Sequence, residues 1–305
     1  MNWVKKGLIL QVPGNLDWMI THASIPFAES LGGDLYRIYL YGRDKRNRSR
    51  PGYIEIDLNR PNEILYISEK PIMDLGLVGT FDESGVMPSW IVNEEGNKYL
   101  YYTGWTQGVT VPYYFYVGLA VSKDGGRHFE RVSSAPILER NAVDPYLTAS
   151  PCVLIENGLW RMWYVSSIKR DASEGGSKPY YLIKYAESND GVDWKRDNTI
   201  CINFKSQDEY AIARPCVIKE NGIYKMWYSY WGQQSYRIGY AESKEGIKWV
   251  RKDFESGIDV SLAGWDSEMI EYAFIFEHKY KKYMLYNGNN YGKTGLGYAV
   301  LDPEG

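Results

Sequence analysis

Apolar residues along the chain fall in short runs rich in β-branched and aromatic side chains, broken by Gly, Asn and Asp. This is the pattern of hairpin-linked strands and not of helical stripes. The runs also repeat. RMWY from Arg161 and KMWY from Lys225 are followed by IKYAESNDGVDWKR from Ile183 and IGYAESKEGIKWVR from Ile238. A looser copy reads YLYYTGW from Tyr99 and VGLAVSKDGGRHFER from Val117. Weaker copies are IYLYGR from Ile38 with GYIEIDL from Gly52, and YMLYNGN from Tyr283 with GLGYAV from Gly295. The closing tyrosines of the first runs, Tyr41, Tyr102, Tyr164, Tyr228 and Tyr286, stand 61, 62, 64 and 58 residues apart. A sheet-forming repeat of that length has room for four strands and their loops, which predicts radial blades.

Each unit opens near a proline or its equivalent: HASIPFA from His22, GVMPSWIV from Gly85, ASPCVLI from Ala149, ARPCVIK from Ala213 and MIEYAFIF from Met269. The Tyr/Trp run supplies the second strand and the GYAES-type run the third. The fourth follows a turn such as DGVDW from Asp190. The fifth unit has no sequence left for a fourth strand, whereas VKKGLILQV from Val4 precedes the first unit and is spare. An open sheet edge is a liability, so the expected fold is all-β: a five-bladed β-propeller, residues 1–305 as one domain, its last blade closed by the N-terminal strand. The turns at Ser122, Ser188 and Ser243, with Asp124, Asp190 and Glu245 behind them, are expected to be structural, because Gly accepts positive φ and Asp bonds its own backbone.

Composition narrows the function. A net charge of −3, with KRNRSR from Lys45 as the main basic run, excludes nucleic acid as an expected partner. No apolar stretch reaches membrane-spanning length and the N-terminus lacks a cleavage signal, so neither a membrane partner nor export is expected and a cytoplasmic location is. Cys152 and Cys216 follow prolines at equivalent places, Cys201 is isolated, and no spacing suggests a metal; no cofactor is expected. Aromatic residues make up 15% of the chain, with 28 Tyr and 11 Trp. Most should pack sheet against sheet, the rest being free to stack on sugar rings.

Polar residues look out of place at the starts of the innermost strands. These are His22 with Asp17 upstream, Asp82 and Glu83, Asp144, Glu209 and Arg214, then Asp266, Glu268 and Glu271. Carboxylates there are costly unless paired or hydrated, so the set points to a wet central funnel. With these residues in place, the chain resembles the five-bladed β-propeller glycosidases, the group of arabinanases, xylosidases, invertases and mannoside phosphorylases. FDESGVMPSW from Phe81, EYAIARP from Glu209, GWDSEMIEY from Gly264 and YNGNNYGKTGLG from Tyr286 are similar, over nearly the whole chain, to bacterial proteins labelled glycosylase.

The resemblance implies a carbohydrate-active enzyme with an Asp on blade one, an Asp on blade two and an acid Glu on blade three. This chain departs from that pattern, with His22 on blade one and Ser150 on blade three; Asp82 matches on blade two. A hydrolase would then draw its carboxylate pair from elsewhere, Glu271 as acid and Glu209, kept ionised by Arg214, as base, while Asp82 orients a hydroxyl. Trp90, Trp105 and Trp231 are candidates to stack on a sugar. The rival reading is a phosphorylase or transferase acting on a sugar phosphate or nucleotide sugar, with His22, Arg43 and Arg214 clamping phosphate. A non-catalytic sugar-binding propeller is the third.

Overall fold

The computed structural model describes residues 1–173, 176–232 and 234–303. Strand β1 (Trp3–Gln11) is followed by four antiparallel strands, β2 (Thr21–Gly32), β3 (Leu35–Arg43), β4 (Ser49–Asp57) and β5 (Ile64–Ile67). The second group is β6 (Gly85–Glu94), β7 (Asn97–Gln107), β8 (Tyr113–Ser122) and β9 (Glu130–Arg131), joined to the first through the parallel bridge of Ser49 with Gly85. The third is β10 (Thr148–Glu156), β11 (Leu159–Ser173), β12 (Gly176–Ser188) and β13 (Ile200–Ile202). The fourth is β14 (Ile212–Glu220), β15 (Ile223–Trp231), β16 (Tyr236–Ser243) and β17 (Val250–Arg251). The last holds β18 (Glu271–His278), β19 (Lys281–Asn287) and β20 (Gly295–Leu301), and β1 pairs antiparallel along β20 as its fourth strand.

One register detail recurs and decides where the site lies. In four groups the first strand slips against the second over the same three residues: Ser24 to Phe27, Ala149 to Cys152, Ala213 to Cys216 and Glu271 to Phe274. Each slip contains a residue in the left-handed region: Ile25 at φ 53, Ser150 at 48, Arg214 at 53 and Tyr272 at 59. A β-bulge re-aims a side chain and bends its strand. A left-handed Ile, branched at Cβ, is strained enough to need a tightly packed surrounding. Beside the bulges, the main-chain N–H of Val217 reaches Cys152 Sγ at 3.3 Å and that of Ile275 reaches Cys216 Sγ at 3.2 Å, so each thiol bonds the next group's first strand.

Between groups the Gly-containing outer turns act as latches. Tyr39 Oη donates to Gly126 O at 3.2 Å, Tyr101 Oη to Gly191 O at 2.7 Å, and Trp163 Nε1 to Gly246 O at 2.7 Å. These three aromatics occupy one register position, opposite Phe27, Trp90 and Cys152, and each reaches the turn of the following group. At the same position of the fourth group Trp227 instead meets Trp3 of β1 edge to face, centroids 6.2 Å apart. The last group abuts the first: Asn287 Nδ2 donates to Ala23 O at 2.7 Å and the Ile25 N–H donates to Asn287 Oδ1 at 2.9 Å.

Candidate functional site

The marker tyrosines hold three of the acids that the sequence places in the funnel, Asp82, Asp144 and Asp266. Tyr102 Oη donates to Asp82 Oδ2 at 3.0 Å, and Arg131 Nε from β9 meets the same oxygen at 2.7 Å. Tyr164 donates to Asp144 at 2.9 Å, with Ser166 at 2.6 Å, Lys184 at 3.1 Å and Arg196 at 3.0 Å completing that carboxylate's shell. Tyr286 donates to Asp266 at 3.0 Å, opposite Lys5 of β1 at 2.7 Å. In the fourth group Tyr228 donates to Asp253, which Arg251 meets at 2.9 Å. Each clasp ties a group's second strand to its outermost strand or to the loop beside it. The carboxylates are buried because they are paired, so Asp82, Asp144 and Asp266 are placed away from the central cavity.

Glu209 is also committed. Arg251 holds it with a fork, Nη1 to Oε2 at 2.8 Å and Nη2 to Oε1 at 3.0 Å, and the Lys205 N–H adds a bond at 2.8 Å. The cation beside Glu209 is therefore Arg251 and not Arg214, and this corrects the pairing expected from their nearness in sequence. Glu83 caps a loop, accepting from Gly79 N at 2.7 Å and Thr106 Oγ1 at 2.8 Å, and these bonds lower its pKa. Glu268 is exposed. Trp90 packs on Phe274 with centroids 5.3 Å apart, and Trp105 Nε1 donates to Ser49 Oγ at 3.3 Å.

What remains at the centre is a cavity of about 310 Å³ lined from all five groups. Ile25, Tyr41 and Arg43 come from the first, Met87 and Thr103 from the second, Ala149 and Ser150 from the third, Ala213 and Tyr236 from the fourth and Tyr272 from the last. Six tyrosines, with Tyr113, Tyr181 and Tyr291 added to those named, dominate the wall. The Tyr181 and Tyr236 hydroxyls bond each other, and burial pushes both pKa values well up. None of these tyrosines was named as a site residue from the sequence, where Tyr41 served only to mark the repeat and the tryptophans drew attention; the high tyrosine count was the available signal.

Two ionisable side chains, Glu271 and Arg214, are buried without well-formed hydrogen bonds next in sequence to the lining residues Tyr272 and Ala213. Glu271 holds the register position that Ala149 and Ala213 hold in their groups, and both alanines line the cavity. Its two carboxyl oxygens are buried with no partner in good hydrogen-bond geometry. Opposite it across the pair, Asn287 spends both amide hydrogens on Ala23 O and Gly295 O, at 2.7 and 2.9 Å. Burial pushes the Glu271 pKa well above the ordinary carboxylate value, partly opposed by a hydrogen bond from Tyr272, so the neutral form is favoured. Arg214 holds the bulge position that in other groups belongs to Ile25, Ser150 and Tyr272, again all lining residues. Its three guanidinium nitrogens are buried with no partner, and burial lowers its pKa.

At the rim, His22 takes a left-handed φ of 64 and its Nδ1 lies 2.9 Å from Thr21 Oγ1. Its pKa falls to about 4, first through burial and then through the nearby charges of Arg43 and Lys293. The expected trio of His22, Arg43 and Arg214 is thus divided: Arg43 lines the cavity with His22 near it, while Arg214 is buried next to the lining residue Ala213.

No protein-family model matches the chain. It is 41% identical over 302 residues, covering 99% of this chain and all of the relative, to the uncharacterized protein MT1551 of Mycobacterium tuberculosis (strain CDC 1551 / Oshkosh). It matches Rv1502 of Mycobacterium tuberculosis (strain ATCC 25618 / H37Rv) to the same extent. A more distant relative is a 1,2-beta-oligomannan phosphorylase of Thermoanaerobacter sp. (strain X514), 32% identical over 161 residues, covering 49% of this chain and 53% of that protein. Among solved structures, a glycoside hydrolase superposes with a TM-score of 0.76 at 17% identity, over 98% of this chain and 92% of the other. Another structure superposes at 0.71 and 14% identity, over 100% and 94%; it belongs to work on the GH130 family of mannoside phosphorylases, said to contain glycoside hydrolases that target β-1,2 mannosidic linkages in Candida mannan. The fold is that of the propeller glycosidases, as the resemblance implies. Within that class, the chain belongs to the family of MT1551 and Rv1502.

Proposed function

We propose that the chain is a carbohydrate-active enzyme that cleaves or transfers a glycosyl unit in the tyrosine-lined cavity, with the neutral carboxyl of Glu271 as proton donor to the departing oxygen. The observation that carries this reading is the isolation of Glu271. It is a buried acid at the register position whose counterparts Ala149 and Ala213 line the cavity, and a carboxyl whose pKa is raised by burial favours the protonated form that departure of a sugar oxygen requires. The five strand groups are read as five blades around one axis, the last completed by β1; the recurring bulges, the latches and the contact of the last group with the first support this.

Hydrolysis through a carboxylate pair needs a second acid within about 5 to 9.5 Å of the first. Apart from Glu271, buried next to the lining residue Tyr272, no Asp or Glu among the described residues is placed at the cavity, and Glu209 is held by Arg251. This favours a second reading in which phosphate attacks in place of an activated water. Arg43 at the cavity wall, Lys293 near His22 and the buried Arg214 have no ion-pair partner among the described residues, and guanidinium groups match phosphate oxygens well. The test uses a panel of aryl glycosides and β-1,2 manno-oligosaccharides, each with and without phosphate. A rate that scales with phosphate, with a sugar 1-phosphate as product, supports transfer to phosphate; a rate independent of it supports hydrolysis. Glu271→Gln should lower turnover on the order of 10²- to 10⁴-fold in either case. A variant that folds and turns over normally removes Glu271 from the chemistry.

A further inference from the structure

The β11 and β12 hairpin is built from strands of 15 and 13 residues, whereas the corresponding strands of the fourth group have 9 and 8. The extra length reaches beyond Tyr181, which lines the cavity. Arg170 Nη2 donates to Tyr113 O at 3.2 Å, with the guanidinium 5.6 Å from the centre of the Tyr113 ring, and Tyr113 is a cavity wall. From that wall a series of rings runs outward. Tyr236 lies 5.2 Å from Trp231, Trp231 lies 5.3 Å from Tyr210, and Tyr210 lies 6.2 Å from Tyr180 on the hairpin. The three outer rings are half-buried. Lys178 places its ammonium 3.8 Å from the centre of Tyr210 and 5.4 Å from that of Tyr180.

Cations outnumber acids along this strip, with Asp171 opposite Lys178 in the hairpin and bonded to Tyr180. Asp171 is taken by Lys169 at 2.8 Å, while Lys178 and Arg170 have no carboxylate partner among the described residues; Asp208 is the exposed acid on the flank. The cavity itself is at the small end of ligand pockets, so a saccharide longer than it holds must leave through the mouth. Sugar rings lie flat on aromatic faces, and an ammonium or guanidinium held above such faces is placed for an oxyanion.

We propose that Trp231, Tyr210 and Tyr180, with Lys178 and Arg170, form an outer subsite for a glycan chain carrying an oxyanion, either carboxylate or phosphate, whose inner end occupies the cavity. This rests on the cavity being the glycosyl site. Binding is therefore measured on the full chain carrying Glu271→Gln, so that it does not depend on turnover. Calorimetric titration would use tetragalacturonate, a neutral β-1,2 mannotetraose, the same mannotetraose bearing one phosphate monoester, and the matching monosaccharides. The expected result is that an anionic tetrasaccharide binds at least about tenfold tighter than the neutral one and than its own monosaccharide, and the arm that does so identifies carboxylate or phosphate as the source. Trp231→Ala and, on the exposed hairpin, Lys178→Glu should each weaken that binding about tenfold. Equal binding of neutral and anionic chains, no binding by either anionic chain, or unchanged binding in Lys178→Glu overturns the proposal. If Lys178→Glu weakens binding while Glu271→Gln turns over normally, the outer subsite stands and the catalytic role of Glu271 falls.

Discussion

At the scale of single residues the cavity is defined by two titrations of opposite sign. His22 has its pKa lowered from 6.5 to about 4, so the folded state favours the neutral ring. Its contribution to stability is full above 6.5 and is lost as pH falls toward 4, amounting to at most about 3 kcal/mol. Asparagine tolerates the left-handed backbone that His22 adopts, so His22→Asn should fold and lose less stability than the parent between pH 7 and pH 4.5 in urea denaturation. An equal loss in both proteins would show that His22 is not the group responsible. Glu271 runs the other way. Its pKa is raised above 4.5, so its contribution is full below that value and declines as pH rises toward the folded value. Glu271→Gln should therefore gain stability relative to the parent as pH is raised from 5 to 8, and a constant difference would show that the carboxyl is ionised in the folded protein.

At the scale of elements the outer turns were legible in the sequence and their reach was not. Asp190 accepts from Ser188 Oγ at 2.8 Å and from the Val192 and Asp193 N–H groups at 2.9 Å each, as an Asp-Gly turn should. What the pattern could not display is that Gly191 O receives Tyr101 of the preceding group. Removing the carboxylate by Asp190→Ala loosens both the turn and the latch, with an expected loss of about 0.5 to 2 kcal/mol in thermal or urea unfolding and no change in turnover per folded molecule. The clasps teach the same lesson. Tyr102, Tyr164, Tyr228 and Tyr286 announced the repeat, but the carboxylates that Tyr102, Tyr164 and Tyr286 bind were assigned to the funnel and the Asp253 that Tyr228 binds was not named, because a strand pattern tells which residues share a face and not which acid a distant tyrosine will reach.

At the scale of the whole molecule the N-terminal strand is held by side chains as well as by its ladder. Lys5 pairs with Asp266 at 2.7 Å, and Gly295 at φ 146 lies so close to Leu10 that a Cβ there would stand 1.9 Å from the Leu10 carbonyl oxygen. Gly295→Ala should push β1 off β20, costing more than about 2 kcal/mol and leaving an edge that promotes association. Calorimetry and size-exclusion chromatography would read both effects. A monomer with parental melting would mean that β1 is dispensable.

The repeat, the strands, the turns and the N-terminal strand as partner for the last group were all determined by the sequence, because periodicity and turn chemistry are local and survive without knowledge of neighbours. Glu271, Arg214, Arg43 and His22 were also named from it. Which acids are spent in clasps and which one is left bare was decided only by the tertiary structure. Asp82, Asp144, Asp266 and Glu271 all look alike as carboxylates at the start of an inner strand, yet three meet both a marker tyrosine and a cation and the fourth meets no cation. That difference arises from partners on the outermost strands, on β1 and across the bulges, and a buried charge is fixed by the groups that surround it in space.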